Sequence, residues 1–515
     1  MAVLKRMTSN IAAQVIAMAV SMADRVILVG ILLRYWGAGV FADFAVVQSF
    51  ASLLLVAELG IQLYFQNAQQ AAFANNDRTA FRRLASIHLG ILLVISGLLA
   101  LLLIGAMITG VTDTLLAQSH LEPGSSRAIF AMLAAGNLLT IVRSAATSVY
   151  TARGDFVFVI LLGATVLLVA TCLSALAALS GAGPLALSAI FLAINGFAAL
   201  AFVTWDTHSR YPGWIAAPAL PTRRELRQAA AQVKWFSLQI IAPAVWLQVP
   251  VLVLNGWNAG GVEIATFLLL RTMVNLVRQF FQFAVVGTGI EIASLVHRGE
   301  NTLAWRHSAQ IGLLTTVLCG VSFAGLLIFG EAIVGFWTGS RALFSPPLAF
   351  MLMLPLLLVA PLQQPFALLQ FANRALAPGV QRMLQIVLGL LFCLLGEVLG
   401  GTLGLVTGLA LAEALAGWAV VPSLARMRMF DRFAAYCARC LAAGVAAFTL
   451  CGLAGYAMEW YLPSTSLLAL LVKLAVWILA AAFPAVVLAL PDQVRRAFYG
   501  KFQTIIRSLP QRLGM

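Results

Sequence analysis

Arg271, Asn275, Arg278 and Gln282 step by four, three and four residues through a segment otherwise rich in Phe, Leu and Val. At 3.6 residues per turn this draws one narrow polar stripe, and two guanidinium groups on it make a surface for phosphate or carboxylate. Other apolar segments carry comparable groups. Gln14, Ser21, Asp24 and Arg25 share one side of the first, and Gln48, Ser52, Glu58, Gln62 and Gln66 share one side of the second. Asn137, Arg143, Ser144 and Thr147 mark the fourth. A charge at the centre of a spanning helix costs roughly 2.5–3.5 kcal/mol, and such residues usually face a bundle interior or a wet cavity. The economical reading is a water-filled cavity with a net positive lining drawn from both halves of the chain. Its competitor is ion pairing between helices, Arg25 meeting Glu58 for example. Asp24 and Arg25 lie about 100° apart around their helix and neutralise each other poorly. No acid lies on the stripe of Arg271 and Arg278, and Glu413, central in its own apolar run, has no evident partner. Asp24 and Glu58 are the candidates to bind a coupling ion, with charge balance for nearby arginines as the alternative. Lys473, near the outer end of the last apolar run, is expected to snorkel.

These stripes need membrane helices to carry them. The 515 residues are 62% hydrophobic and only 10% charged, with a mean hydropathy of +0.97. Soluble domains carry about a quarter charged residues, so the composition predicts an all-α polytopic membrane protein. Apolar runs of spanning length predict fourteen helices, at 11–34, 41–66, 86–109, 127–150, 156–180, 185–204, 235–256, 263–290, 308–337, 347–371, 380–398, 403–424, 435–458 and 467–490. An even number puts both termini on one side. Of the 32 Lys and Arg residues, alternate connections on one side hold only Arg34, Arg127 and Arg341. Arg25, Arg143, Arg271, Arg278 and Lys473 are intramembrane, and the rest fall on the other side, which is therefore cytoplasmic. Most of the net charge of +14 is thus a topology signal, and nucleic acid is excluded as a partner.

The longest cytoplasmic connection, 205–234, divides a six-helix lobe at 1–204 from a second at 235–425, with two further helices at 426–490 and a basic amphipathic tail at 491–515. Thr222 and Glu225 have capping-box spacing, and Leu226, Ala229, Ala230 and Val233 follow as an apolar stripe, which predicts a short interfacial helix. A faint repeat supports the division. "WGAGVFADFAVV" at 36–47 resembles "WNAGGVEIATFLL" at 257–269, and "RTAFRRLA" at 78–85 resembles "NTLAWRHSA" at 301–309, both at offsets of about 222 residues. Two pseudo-symmetric lobes of this kind are a transporter arrangement. Pro243 and Pro250, then Pro355, Pro361 and Pro365, interrupt two helices and serve either as bending points or as static kinks. Gly400, Gly404 and Gly408 read as close helix packing.

Enzymatic signals are missing from the sequence. There is no phosphate-binding G-x-x-x-x-G-K-[ST] loop, cofactor fingerprint or catalytic triad. Cys437 and Cys440 copy a redox spacing, but at the start of a membrane helix ordinary packing is the expectation. The histidines, His88, His120, His208, His297 and His307, fall in or near the predicted connections, so neither a metal site nor a buried histidine relay is expected. No cofactor is implied. Directed transport would draw on an H⁺ or Na⁺ gradient or on the substrate's own downhill path.

The segment "LLRYWGAGVFADFAVVQSFASLLLVAELG" at 32–60, ending on Glu58, Leu59 and Gly60, and the basic loop "NNDRTAFRRLA" at 75–85 resemble the Wzx-type polysaccharide flippases of the multidrug/oligosaccharidyl-lipid/polysaccharide (MOP) exporter superfamily. The resemblance implies two six-helix lobes that open alternately, with two extra C-terminal helices in some members. It implies a bacterial inner-membrane location, a substrate of undecaprenyl-pyrophosphate-linked oligosaccharide moved to the periplasmic leaflet, and membrane lipids and polysaccharide polymerase machinery as partners. The products served would be O-antigen, capsule or exopolysaccharide. Arginine's planar fork suits the pyrophosphate, and the resemblance carries that role onto Arg25, Arg271 and Arg278, then Arg143. Gln14, Gln62, Asn275 and Gln282 would line the cavity. Two relatives are the alternatives: lipid II flippases, from whose arginine-rich first-helix pattern "SMADRVILVG" departs, and multidrug antiporters, whose cavities favour acids.

Overall fold

The computed structural model describes residues 2–489 except 59, 116–119, 215–216, 258, 298, 372–375, 420, 422–431 and 462–465. The predicted basic tail at 491–515 lies outside the described residues. The chain is an all-α polytopic membrane protein. Its main elements are α1 (Ala2–Leu53), α2 (Ile61–Ala74), α3 (Arg78–Ile108), α4 (Val111–Leu115), α5 (Pro123–Arg153), α6 (Phe156–Leu179), α7 (Pro184–Phe191), α8 (Ala199–Arg210), α9 (Arg223–Gly256), α10 (Gly261–His297), α11 (Asn301–Thr338), α12 (Pro346–Phe371), α13 (Leu376–Trp418), α14 (Phe433–Tyr461) and α15 (Leu467–Ala489).

Two of these rods are each two membrane helices. The 52 residues of α1 would reach about 78 Å, far beyond a hydrocarbon core of about 30 Å. They are divided at Gly37, whose φ of 76° and ψ of 170° only glycine adopts readily. The 43 residues of α13 divide at Gly400 and Gly401, the latter at φ 57°. The predicted close-packing glycines are therefore resolved into two jobs. Gly400 and Gly401 turn the chain, and Gly404 then lies so near Gly396 that an added Cβ would sit 2.1 Å from the Gly396 carbonyl oxygen. Among the described residues, ten helices are long and apolar enough to span a membrane. Dividing the two broken rods and adding the shorter apolar helices Ile241–Gly256 and Leu467–Ala481 gives the fourteen spans that hydropathy predicts.

Several boundaries differ from the sequence expectation. The second helix is interrupted by a 3₁₀ turn over Leu54–Glu58, and Gly60, at φ 72°, restarts it as α2. The third begins at Arg78 rather than 86, because Asp77 caps it by accepting from the Ala80 N–H at 2.9 Å. Thr222 and Glu225 do form a capping box, but the helix they start runs on unbroken through Pro243 and Pro250 as α9 instead of ending at the interface. Between α7 and α8 lies a π-helical segment, Leu192–Ala198, that hydropathy does not register.

Side chains sort as lipid immersion requires. Leu98, Leu101, Leu102 and Ile108 of α3 are exposed, Ile108 to 80%, an arrangement that suits acyl chains rather than water. Contacts divide the chain into two units, residues 1–269 with 382–405 and residues 270–381 with 406–515. The first is packed around clusters such as Phe81, Val149, Tyr150 and Val203, and the second around clusters such as Phe329, Cys451, Trp477 and Ala481. Cys437 and Cys440 sit in such apolar clusters of the second unit. At the basic end of the first unit, the Arg153 guanidinium lies over Tyr211 at 4.4 Å and Trp214 at 4.6 Å, which holds the connection after α8 against α5. Burial, and then its hydrogen bond to Asp155, push the Tyr211 phenol up to about 12.

Candidate functional site

The helix breaks decide where the first unit's charges stand. Glu58 is the last residue of the 3₁₀ turn, so it sits on irregular backbone at membrane depth, a placement tolerated only inside protein or beside water. Its carboxylate accepts from Ser144 Oγ of α5 at 2.9 Å. Asp24, on the first half of α1, accepts from Thr171 Oγ1 of α6 at 2.6 Å. The expected alternative of an Arg25–Glu58 ion pair is not formed. Arg25 is half-buried beside Asp24 and makes no ion pair among the described residues. Gln14 is exposed on the same helix, and Gln62 is half-buried on α2.

Arg143 is the fourth of these charges. It is half-buried in the middle of α5, and its Nη1 donates to the Asn195 carbonyl at 3.1 Å. That carbonyl belongs to the π-helical segment, where the changed register turns a backbone oxygen toward α5. Among the described residues Arg143 meets no carboxylate. One backbone oxygen leaves most of its five N–H donors to other partners. Asn137, from the same predicted stripe, is spent differently: its amide donates to the Ala51 carbonyl at 2.9 Å and ties α5 to the end of α1.

The second unit corrects an expectation. Arg278 is not without an acid. Glu413, on the second half of α13, accepts from both of its Nη atoms, at 2.6 and 2.9 Å, and both side chains are largely buried. The stripe reading failed here because it considered only acids on the helix that carries the arginine. Asn275 and Arg271 are half-buried one and two turns away, and Gln282 is exposed. Lys473 does not snorkel. Its side chain is 2% exposed, and its Nζ donates to Glu459 at 2.7 Å.

The histidine expectation also fails at one position. With α3 beginning at Arg78, His88 lies three turns inside a helix and is fully buried, hydrogen-bonded to Ser148 and stacked on Phe65 at 4.9 Å. Ser144 already stood on the predicted stripe, but the sequence signals for Thr171 and Asn195 were single small polar residues in apolar runs, which become legible only once their neighbours are known.

Solved structures supply the comparison. The chain superposes on the lipid II flippase MurJ in an inward closed conformation with a TM-score of 0.68, over 92% of this chain and 97% of that one, at 11% identity. It superposes on an inward-facing multidrug resistance MATE family transporter of the MOP superfamily with a TM-score of 0.63, over 79% and 94%, at 14% identity. A MOP superfamily transporter from Pyrococcus furiosus, described as having a binding pocket of reversed polarity that suggests a different function, aligns with a TM-score of 0.55 over 82% and 95%, at 15% identity. The chain has the fold of the MOP-superfamily transporters. No protein-family model and no curated protein matches the sequence. At these identities the MOP likeness is one of architecture, and the charges described above are this chain's own.

Proposed function

We propose that this chain is a secondary transporter that flips undecaprenyl-pyrophosphate-linked oligosaccharide units from the cytoplasmic to the periplasmic leaflet of a bacterial inner membrane. The observation that carries the reading is Arg143. Its guanidinium stands within the first unit at membrane depth, held by a backbone carbonyl and by no carboxylate among the described residues. A charge so placed is costly unless an anion meets it. Arg25, beside Asp24, adds a second guanidinium in the same unit, without an ion pair among the described residues. A pyrophosphate headgroup offers oxygens to both, with bidentate geometry at each fork. Arg278, neutralised by Glu413, passes from headgroup contact to support of the helices in its own unit. Asp24 and Glu58 are assigned the coupling ion, because each has a hydroxyl partner and each lies on a helix that also carries polar groups.

The test is deletion in the source bacterium followed by lipid analysis and complementation. Accumulated lipid-linked repeat unit on the inner face, relieved by the intact chain and not by an Arg143→Ala variant of equal abundance, supports the assignment. Accumulated lipid II would move it to the other flippase class. Unchanged glycolipid with raised dye sensitivity would replace it by drug efflux.

A further inference from the structure

Two carboxylates stand together at one end of the first unit. Glu397 lies in the last turn of the half of α13 that ends at Gly400 and Gly401, and Glu263 lies in the first turn of α10. The glycine turn folds the chain back on itself. An added Cβ at Gly396 would meet the Gly404 carbonyl oxygen, and one at Gly404 would meet that of Gly396. Glu397, next after Gly396, and Thr402, two before Gly404, therefore stand at the same level on either side of the turn. Thr402 Oγ1 donates to Glu263 Oε2 at 3.2 Å, the one side-chain hydrogen bond it makes among the described residues. Glu263 is near enough to Glu397 for their charges to repel. Two residues before Glu263, Gly261 packs on Gly39, where a Cβ added to Gly261 would lie 2.9 Å from the Gly39 Cα. The pair is thus at the end of the unit where α1 turns at Gly37, at a membrane boundary rather than at its centre.

The negative charge here is not answered by the protein. Neither carboxylate forms an ion pair among the described residues. Glu397 is only 8% exposed, and its Oε2 is buried with no hydrogen-bond partner. Buried polar atoms are almost always satisfied, and a carboxylate oxygen is among the costliest to leave alone. The helix adds to the imbalance. Its last four carbonyls have no intrahelical partner and carry the negative end of its dipole, where an acid is disfavoured. Protonation does not repair this: a proton on Oε2 would find no acceptor, and one on Oε1 leaves Oε2 as it was. A water molecule would satisfy the oxygen and leave the charge.

We propose that Glu263 and Glu397 bind a hard divalent cation, Ca²⁺ or Mg²⁺, with Thr402 Oγ1 and water completing its shell, so that the ion pins the start of α10 to the glycine turn of α13. Carboxylate, hydroxyl and water oxygens are the ligands such ions take. No third His, Cys, Asp or Glu joins the pair among the described residues, so a metal that seeks nitrogen or sulfur has no ligand here. Two carboxylates balance two positive charges, whereas a monovalent ion leaves the site negative. Glu263 is exposed, which gives the ion a path from water. The site shares no residue with the headgroup and coupling groups assigned above, and its ion fastens two helices rather than crossing the membrane.

The experiment follows the thermal midpoint of the full-length protein in nanodiscs of zwitterionic lipid, stripped with a chelator and then titrated with calcium chloride, magnesium chloride or, at matched ionic strength, sodium chloride. The intact chain should show a saturable rise with a divalent ion, half complete at about 10⁻⁴–10⁻³ M, and only an unsaturable salt response with sodium. The ion that acts at the lower concentration is the cation of the site. Glu397→Gln and Glu263→Gln should each raise the half-saturating concentration by at least about 10-fold. Glu397→Gln, relieved of the repulsion, should also have the higher midpoint in chelator. A divalent response no different from that of sodium in the intact chain overturns the site. An equal divalent response in the intact chain and both variants also overturns it, since the ion then binds elsewhere. A saturable rise with sodium alone overturns the divalent assignment. Glu263 is exposed, so its variant keeps the test decisive should Glu397→Gln fail to fold.

Discussion

Arg278 and Glu413 form a fork-to-fork ion pair, Nη1 to Oε1 at 2.6 Å and Nη2 to Oε2 at 2.9 Å, across 135 residues of sequence. It ties α10 to the second half of α13 within the second unit. Removing one partner leaves the other charge buried and uncompensated, at a cost of roughly 3–5 kcal/mol, while replacing both by apolar residues of similar volume is near neutral. Glu413→Gln should therefore lower the thermal midpoint of the purified protein sharply, and Arg278→Leu with Glu413→Leu should restore most of it. A Glu413→Gln protein as stable as the parent would show that Arg278 finds its compensation elsewhere.

Arg143 should behave in the opposite sense. Among the described residues its hydrogen-bond partner is the Asn195 carbonyl, so truncation removes little from the fold. A charged hydrogen bond is worth about 1.5–3 kcal/mol, so loss of a headgroup contact predicts about 10- to 100-fold less flipping. Surface polysaccharide output by Arg143→Ala, normalised to membrane abundance, is the measurement. Undiminished output from that variant removes the headgroup role.

Asp43 is buried and accepts from the backbone N–H groups of His120 at 2.7 Å and Leu121 at 3.1 Å. It fastens the loop ahead of α5 to the helix that follows Gly37. The His120 ring packs over Gly39, where an added Cβ would sit 2.6 Å from Nε2. Asp43→Ala should cost about 1–3 kcal/mol locally. The readout is faster hydrogen exchange at the His120 and Leu121 amides with the α14–α15 amides unchanged.

Glu225 carries an acid-side pH dependence outside the spans. The Arg83 guanidinium, at 2.9 and 3.1 Å, and then the Thr222 cap hold its carboxyl down at about 2, against an ordinary value of 4.5. A depressed carboxylate pKa gives stabilisation that is complete above the unfolded value and lost as pH falls through the folded one. Exchange protection at the first turn of α9 should therefore be flat above pH 4.5 and decline toward pH 2. Both side chains are substantially exposed, so the effect stays under about 1 kcal/mol and shrinks in high salt. Glu225→Gln should remove the pH dependence.

Legibility differed by residue. The capping box at Thr222 and Glu225 was readable because its two hydrogen bonds join residues three apart. The gap between the first two predicted helices, 34 to 41, was readable and Gly37 falls in it, whereas the prolines read as interruptions lie inside α9 and α12 without ending them. The start of α3 was misplaced because hydropathy sees the apolar stretch from 86 and not the Asp77 cap ahead of it, across a segment that carries Arg78, Arg82 and Arg83. That error set His88 at the edge of a helix, beside a connection, rather than three turns inside α3.

The sequence alone determined that fourteen apolar helices cross a membrane, that basic residues concentrate in alternate connections, and which helix faces carry polar groups. Those follow from length, hydropathy and helical period, which are local quantities. Tertiary structure alone decided which charges are answered. Glu413 neutralises Arg278 while a backbone carbonyl holds Arg143, and Ser148 and Phe65 enclose His88, because electrostatic balance in a low dielectric depends on which helices become neighbours.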